Sequence, residues 1–218
     1  MDYIIVLPAA YLAGSIPFAY LAGRLVAHKD LRTLGTGSLG THNVFHEVGP
    51  VAGVAVFFLD CAKMGITLLV LRVLGAPLWV QSLAALAVIA GHNWSVFTGF
   101  KGGRGMAVTL VGFAILLPWE TLIVLAVLAF GLATRTIAVY CAFSLVLWPL
   151  AAVSRGEPAP LVFYAVGAAI ICFARRLQGS PEVAPVPPSE ARLKDVLVNR
   201  LIFDREFTPA WLETGDYH

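Results

Sequence analysis

The stretch from Gly105 to Thr134, GMAVTLVGFAILLPWETLIVLAVLAFGLAT, decides how this chain folds. It is apolar from end to end except where Pro118, Trp119 and Glu120 interrupt it near the middle. Proline removes a helical hydrogen bond and clashes with the preceding turn, so the stretch reads as one long interrupted helix or as two short ones. The basic residues outside it separate these readings. With two helices, Arg24, Lys29, Arg32, Lys101, Arg104, Arg135, Arg175 and Arg176 fall on one side of a membrane, and Arg72 and Arg155 on the other. Such a bias marks cytoplasmic loops, and a single helix would weaken it by moving Arg135 opposite Lys101.

The flanking sequence supplies the other spans. Uncharged runs cover Tyr3 to Gly23, Val73 to Phe100, Thr136 to Ser154 and Pro158 to Ala174, and Val48 to Leu71 is as apolar apart from Asp60 and Lys63. The expected fold is therefore all-α, a polytopic membrane protein of about seven transmembrane helices with its N-terminus outside and its C-terminus cytoplasmic.

Composition agrees. Hydrophobic residues make up 59% of the 218 and charged residues 13%, against about 25% charged in a soluble domain. At about 20 residues per span, little chain is left for a separate soluble domain. The net charge of +2 gives no support to a nucleic-acid partner. No positive charge precedes the first span and it outruns a signal core, so it reads as a retained helix. Cys61, Cys141 and Cys172 all fall in expected spans, where a thiol acts as a small apolar side chain, and neither a disulfide framework nor a metal site is indicated. Residues 1–177 form the expected membrane domain. From 178 to 218 the sequence reads as a cytoplasmic proline-rich connector followed by a short amphipathic helix, Ser189 to Phe207, lying on the membrane surface or the loops.

Chemistry is expected in two loops on the cytoplasmic side. The first runs from Asp30 to Asn43 and contains Gly35, Gly37 and Gly40 in the spacing G-x-G-x-x-G. A dinucleotide site would need a preceding strand, which a loop between membrane helices cannot supply. What survives is local: glycine N–H groups converging on an anion, with Thr36, Ser38, Thr41 and Asn43 as neutral donors, or else a flexible turn. Both remain open. The second loop holds Lys101, Gly102, Gly103, Arg104 and Gly105 ahead of a helix start, where unpaired N–H groups favour negative charge. Lys101 and Arg104 suit a phosphate, though such a pair also serves as a topology signal. His92 lies near the cytoplasmic end of an uncharged span, either functional or satisfying a neighbouring helix. Asp60 and Lys63, one helical turn apart, are expected to pair as a structural element.

These loops resemble the bacterial membrane acyl-phosphate:glycerol-3-phosphate acyltransferase family. Its first signature, Gly-Ser-Gly-Asn-x-Gly-Ala-Thr-Asn after Asp-Leu-Arg, is similar to Asp30-Leu31-Arg32 and the run from Gly35 to Asn43. Its second, Gly-His followed by Phe-Lys-Gly-Gly-Lys-Gly, is matched more specifically by Gly91-His92 and Phe100 to Gly105. A Phe-Phe-Leu-Asp-x-x-Lys element appears as Phe57 to Lys63. This chain departs from the pattern with Thr36, Ser38 and His42 in the first loop and with His46 in place of an arginine, which changes a fixed two-pronged cation into a titrating one. In the C-terminal signature, Asn199-Arg200-Leu201 and Glu206 follow a proline-rich insertion, and the family histidine is missing.

The resemblance implies transfer of a fatty acyl group from acyl phosphate to glycerol 3-phosphate, giving lysophosphatidic acid and phosphate, by a monomer in the inner (plasma) membrane with membrane lipid around it. It implies no cofactor and no protein nucleophile, because positioning and charge neutralisation suffice. His92, Lys101 and Thr36 are the expected catalytic residues. Gly35, Gly37, Ser38, Gly40, Asn43, His46, Gly102, Gly103, Arg104, Asn199 and Glu206 are the expected substrate contacts. A homologue that binds acyl phosphate or lipid without catalysis and, further off, a small organic-anion transporter are the rival readings.

Overall fold

Proline and glycine set where the helices of this chain begin and stop. The computed structural model describes residues 3–179 and 197–203, and every regular element among them is helical. The order is α1 (Val6–Ser15), α2 (Phe18–Val26), α3 (Thr41–Glu47), α4 (Pro50–Val73), α5 (Leu78–Asn93), α6 (Met106–Leu116), α7 (Pro118–Ala133), α8 (Ile137–Ser154) and α9 (Ala159–Gln178), with a π-helical turn at Asn199–Phe203. The amphipathic helix expected over Ser189 to Phe207 lies mostly outside the described residues, as do the proline-rich connector from 180 on and Glu206.

Among the described residues, five stretches are long and apolar enough to cross a membrane: Tyr3–Val26, Pro50–Val73, Leu78–Thr98, Ile137–Ser154 and Ala159–Gln178. The deciding stretch forms two shorter apolar helices, α6 and α7, separated by Leu117 alone. Pro118 opens α7, where its missing N–H costs nothing, and Leu117 is held out of the helical region at φ −135° and ψ 62°. The expected break is therefore present. The first span is also broken, which its uncharged sequence did not announce: α1 ends at Ser15 and α2 starts after Pro17. Where the first loop ends, the chain also forms α3.

Helix α5 is the hub, packing against α1, α9, α4 and α6. Its approach to α1 depends on Gly14 and Gly91, since a Cβ on either would run into the backbone of the facing helix, the small-residue contact through which membrane helices pack. Beside it, the rings of Phe113 and Trp148 stack with centroids 4.0 Å apart, and Tyr164 closes on Phe113 at 4.8 Å. Outward-facing Phe58, Leu69, Leu122, Leu132, Leu150 and Ile170 are exposed, as suits surfaces solvated by lipid.

The helix ends sort into two groups. Where α4 ends and α5 begins, Arg72 donates to Ile115 O at 2.6 Å. Where α8 ends and α7 begins, Arg155 Nε lies 2.7 Å from Oε1 of the buried Glu120. The opposite ends of these helices carry both loops singled out by sequence.

Candidate active site

The break between α1 and α2 is the starting point of the site. The helix stops at Ser15 and Ile16 leaves the helical region at φ −56° and ψ 116°, so its carbonyl, which accepts from Phe18 N–H at 3.2 Å, also takes Lys63 Nζ from α4 at 3.4 Å. The same ammonium lies 2.9 Å from Asp60 Oδ1 and 2.8 Å from Nδ1 of His92, at the end of α5. All three side chains are buried. An ammonium has donors and no acceptor, so its contact with Nδ1 assigns the imidazole proton to Nε2. Asp60 and Lys63 do pair as the sequence predicts. The structure adds His92, 3.5 Å from Asp60 Oδ1, to make a cluster of three.

The second loop folds over this cluster. Gly103 N–H donates to His92 O at 3.1 Å, and a Cβ on Gly103 would overlap the His92 ring. A Cβ on Gly102 would meet the carbonyl oxygens of His92 and Asn93. These glycines therefore serve close packing, which fixes Lys101 at the rim. Thr98 Oγ1 donates to Lys101 O, and Gly99, Phe100 and Gly105 all take positive φ to turn the chain.

Arg175, one of the cations that the charge bias places on the cytoplasmic side, clamps this loop from α9. Its Nε donates to Gly103 O at 3.2 Å, its Nη2 to Gly102 O at 3.2 Å, and its Nη1 to Gly179 O at 3.3 Å. The available signal was its place at the last turn of the final span, which is shared by any anchoring cation. Trp94 Nε1 adds a 2.6 Å bond to Gln178 Oε1.

The first loop is built around Asn43. Its Nδ2 donates to the carbonyls of Leu31, Leu34 and Ser38, and its Oδ1 accepts from Thr36 N–H, each at 3.1 Å. The amide thus shapes the loop from inside. Gly35 and Gly37 take positive φ, while Gly40 is extended at φ −120°. Asp30, outside the spans, accepts from Arg32 at 2.7 Å and pairs with Arg24 at 2.8 Å. The hydrogen bonds from Arg32 outweigh desolvation and hold its carboxyl down at about 2. Leu39 N–H donates to Gly102 O at 3.2 Å and joins the two loops.

Between them is a narrow cleft lined by Ile16, Asp60, His92, Ser95, Lys101 and Gly103, with Leu39 on the first-loop side. His92, Lys101, Gly102 and Gly103 all line it. Ser38 and Gly40 adjoin Leu39 in the chain and Arg104 follows Gly103 ahead of α6, but neither these three nor Thr36 are among the cleft-lining residues. His42 and His46 pack ring against ring on α3, with centroids 4.5 Å apart. Asn199 sits in the turn that docks on α9, where Arg176 donates to Leu201 O at 2.7 Å and Arg200 to Leu177 O at 3.0 Å. It is not among the cleft-lining residues.

Residues 4–179 match the model of the family described as glycerol-3-phosphate acyltransferase. The chain belongs to this family. Glycerol-3-phosphate acyltransferase 4 of Dehalococcoides mccartyi (strain CBDB1) is 43% identical over 130 residues, 59% of this chain and 56% of the relative, so the chain spans little more than half that relative's length. Among solved structures of the family, PlsY (YgiH), an integral membrane glycerol 3-phosphate acyltransferase, superposes in its glycerol 3-phosphate form with a TM-score of 0.77 and 29% identity, over 98% of both chains. Its lysophosphatidic acid form matches with a TM-score of 0.73 and 28% identity, over 95% of both chains. The protein is a multi-pass membrane protein of this fold.

Proposed function

We propose that this chain transfers a fatty acyl group from acyl phosphate to glycerol 3-phosphate, releasing lysophosphatidic acid and inorganic phosphate. The observation that carries the reading is the convergence of Lys101, the glycine turn and His92 at one cleft, in a chain whose relative PlsY is described in glycerol 3-phosphate and lysophosphatidic acid forms. In this reaction a primary hydroxyl oxygen bonds to the acyl carbonyl carbon, the bond from that carbon to the phosphate oxygen breaks, and the hydroxyl proton leaves.

Both substrates are anions. Lys101 and Arg104 hold one phosphate at the rim, and the Gly35 to Gly40 loop with Thr36 and Ser38 holds the other. Because Nδ1 of His92 is occupied by Lys63, the ring presents Nε2–H, which suits it to donate to an oxygen and orient it. A phosphate oxygen of the substrate then takes the proton. The contribution of the protein is positioning and charge compensation in a water-poor cleft, which by themselves account for large rate factors.

The cleft faces the cytoplasm, with the N-terminus outside, α6 and α7 as separate passes, and a monomer in the inner membrane; the loop cations support this orientation. His46, Asn199 and Glu206 are assigned to the periphery of substrate binding by resemblance alone. Purified protein supplied with labelled glycerol 3-phosphate and palmitoyl phosphate is expected to form lysophosphatidic acid, and palmitoyl-CoA is expected to give none. Product with the thioester alone, or with neither donor, contradicts the reading.

A further inference from the structure

Two buried polar groups in the wall of the cleft have no hydrogen-bond partner among the described residues. One is Oδ2 of Asp60, whose other oxygen is held by Lys63, and the second is the hydroxyl of Ser15 at the end of α1. Asp60 is 2% exposed and Ser15 fully buried, and both line the cleft. An unmet acceptor at such depth is costly unless something supplies a donor. We infer that Asp60 Oδ2 accepts a hydrogen bond from the non-reacting C2 hydroxyl of the acceptor alcohol and so makes the site specific for a vicinal diol phosphate. The inference rests on the acyl-transfer reading above.

Charge decides which end of the acceptor reaches Asp60. A carboxylate repels phosphate and attracts a hydroxyl hydrogen, while Lys101 at the rim does the reverse. The acceptor therefore enters with its phosphate toward Lys101 and its hydroxyl end toward Asp60. The carboxylate keeps Oδ1 on Lys63 at 2.9 Å and leaves Oδ2 as a charge-assisted hydrogen-bond acceptor. That points it to the hydroxyl that keeps its proton. Ser15, donor and acceptor at once, provides a second polar contact on the same wall.

The test compares glycerol 3-phosphate with 3-hydroxypropyl phosphate, which keeps the phosphate and a primary hydroxyl but lacks the C2 hydroxyl. Sites built to bond a hydroxyl reject analogues without it by large factors, so wild-type kcat/KM is expected to favour glycerol 3-phosphate by about 100-fold or more. Asp60→Asn, and the double variant Asp60→Ala with Lys63→Met that leaves no unpaired buried charge, are expected to shrink the ratio to about 10-fold or less. The ratio is internally controlled, because disturbance of His92 slows both substrates alike. Equal use of the two phosphates by the wild type, or an unchanged ratio in either variant that melts cooperatively, overturns the inference while leaving acyl transfer intact. No product from glycerol 3-phosphate in the wild type overturns both.

Discussion

Lys63 Nζ sits 2.8 Å from His92 Nδ1 and 2.9 Å from Asp60 Oδ1, so one buried cation both neutralises a carboxylate and assigns the tautomer of the histidine above it. Replacing it with methionine strands Asp60 without a counter-charge. The expected cost of Lys63→Met is about 3 to 5 kcal/mol. Removing both charges in Asp60→Ala with Lys63→Met is expected to restore much of the loss. Thermal melts of the detergent-solubilised variants measure both.

Gly103→Ala forces a methyl into the His92 ring, whereas Gly40→Ala places one at an ordinary 3.5 Å from Ser38 Oγ in backbone that any residue adopts. The first is expected to destabilise by about 1 to 3 kcal/mol, as overpacking does, and to cut activity. The second is expected to stay within about 0.5 kcal/mol of wild type in stability. Melting temperatures compared side by side check the contrast.

Arg175→Ala removes the two bonds from α9 to the second loop, at Gly102 O and Gly103 O. Misplacement of Lys101 and His92 by even about 1 Å is expected to lower kcat/KM by about 100-fold. Arg175→Lys keeps the charge and loses the fork, so an intermediate value is expected. Steady-state kinetics of the two variants would separate charge from geometry.

Asp30 ties the first loop to Arg24 and Arg32, and its carboxyl, held at about 2, titrates well below an unfolded aspartate. A depressed carboxyl adds stability above its unfolded pKa of about 4 and loses it as pH falls through the folded value. Protection of the amides around residues 30–40, taken relative to the intrinsic exchange rate at each pH, is expected to fall between about pH 4 and pH 2 in wild type. Asp30→Asn should show faster exchange already at neutral pH and little further change across that window.

Much of this was legible in the sequence, for identifiable reasons. Pro118 announces a break because proline cannot continue a helix, and the apolar runs announce membrane helices because lipid solvates them. His92, Lys101 and the paired glycines stand out in the sequence because polar groups near a span end are costly unless used, and the fold brings them to one cleft. The break at Pro17 is not announced by its uncharged surroundings, although it turns the Ile16 carbonyl to within 3.4 Å of Lys63 Nζ. The addition of His92 to Asp60 and Lys63 was also hidden, since it depends on how α4 meets α5 and no spacing along the chain encodes that. Asn43 has the composition of a ligand donor and the geometry of a loop brace, a distinction that only its four bonds reveal.

The proposed acyl transfer takes place at the cleft that Lys101 and His92 both line. The most direct measurement is the rate at which Lys101→Ala, shown by its melt to be folded, converts glycerol 3-phosphate and palmitoyl phosphate into lysophosphatidic acid. A loss of at least about 100-fold, the scale on which charge-stabilising groups act, is the predicted result, and wild-type activity in the folded variant would contradict the account.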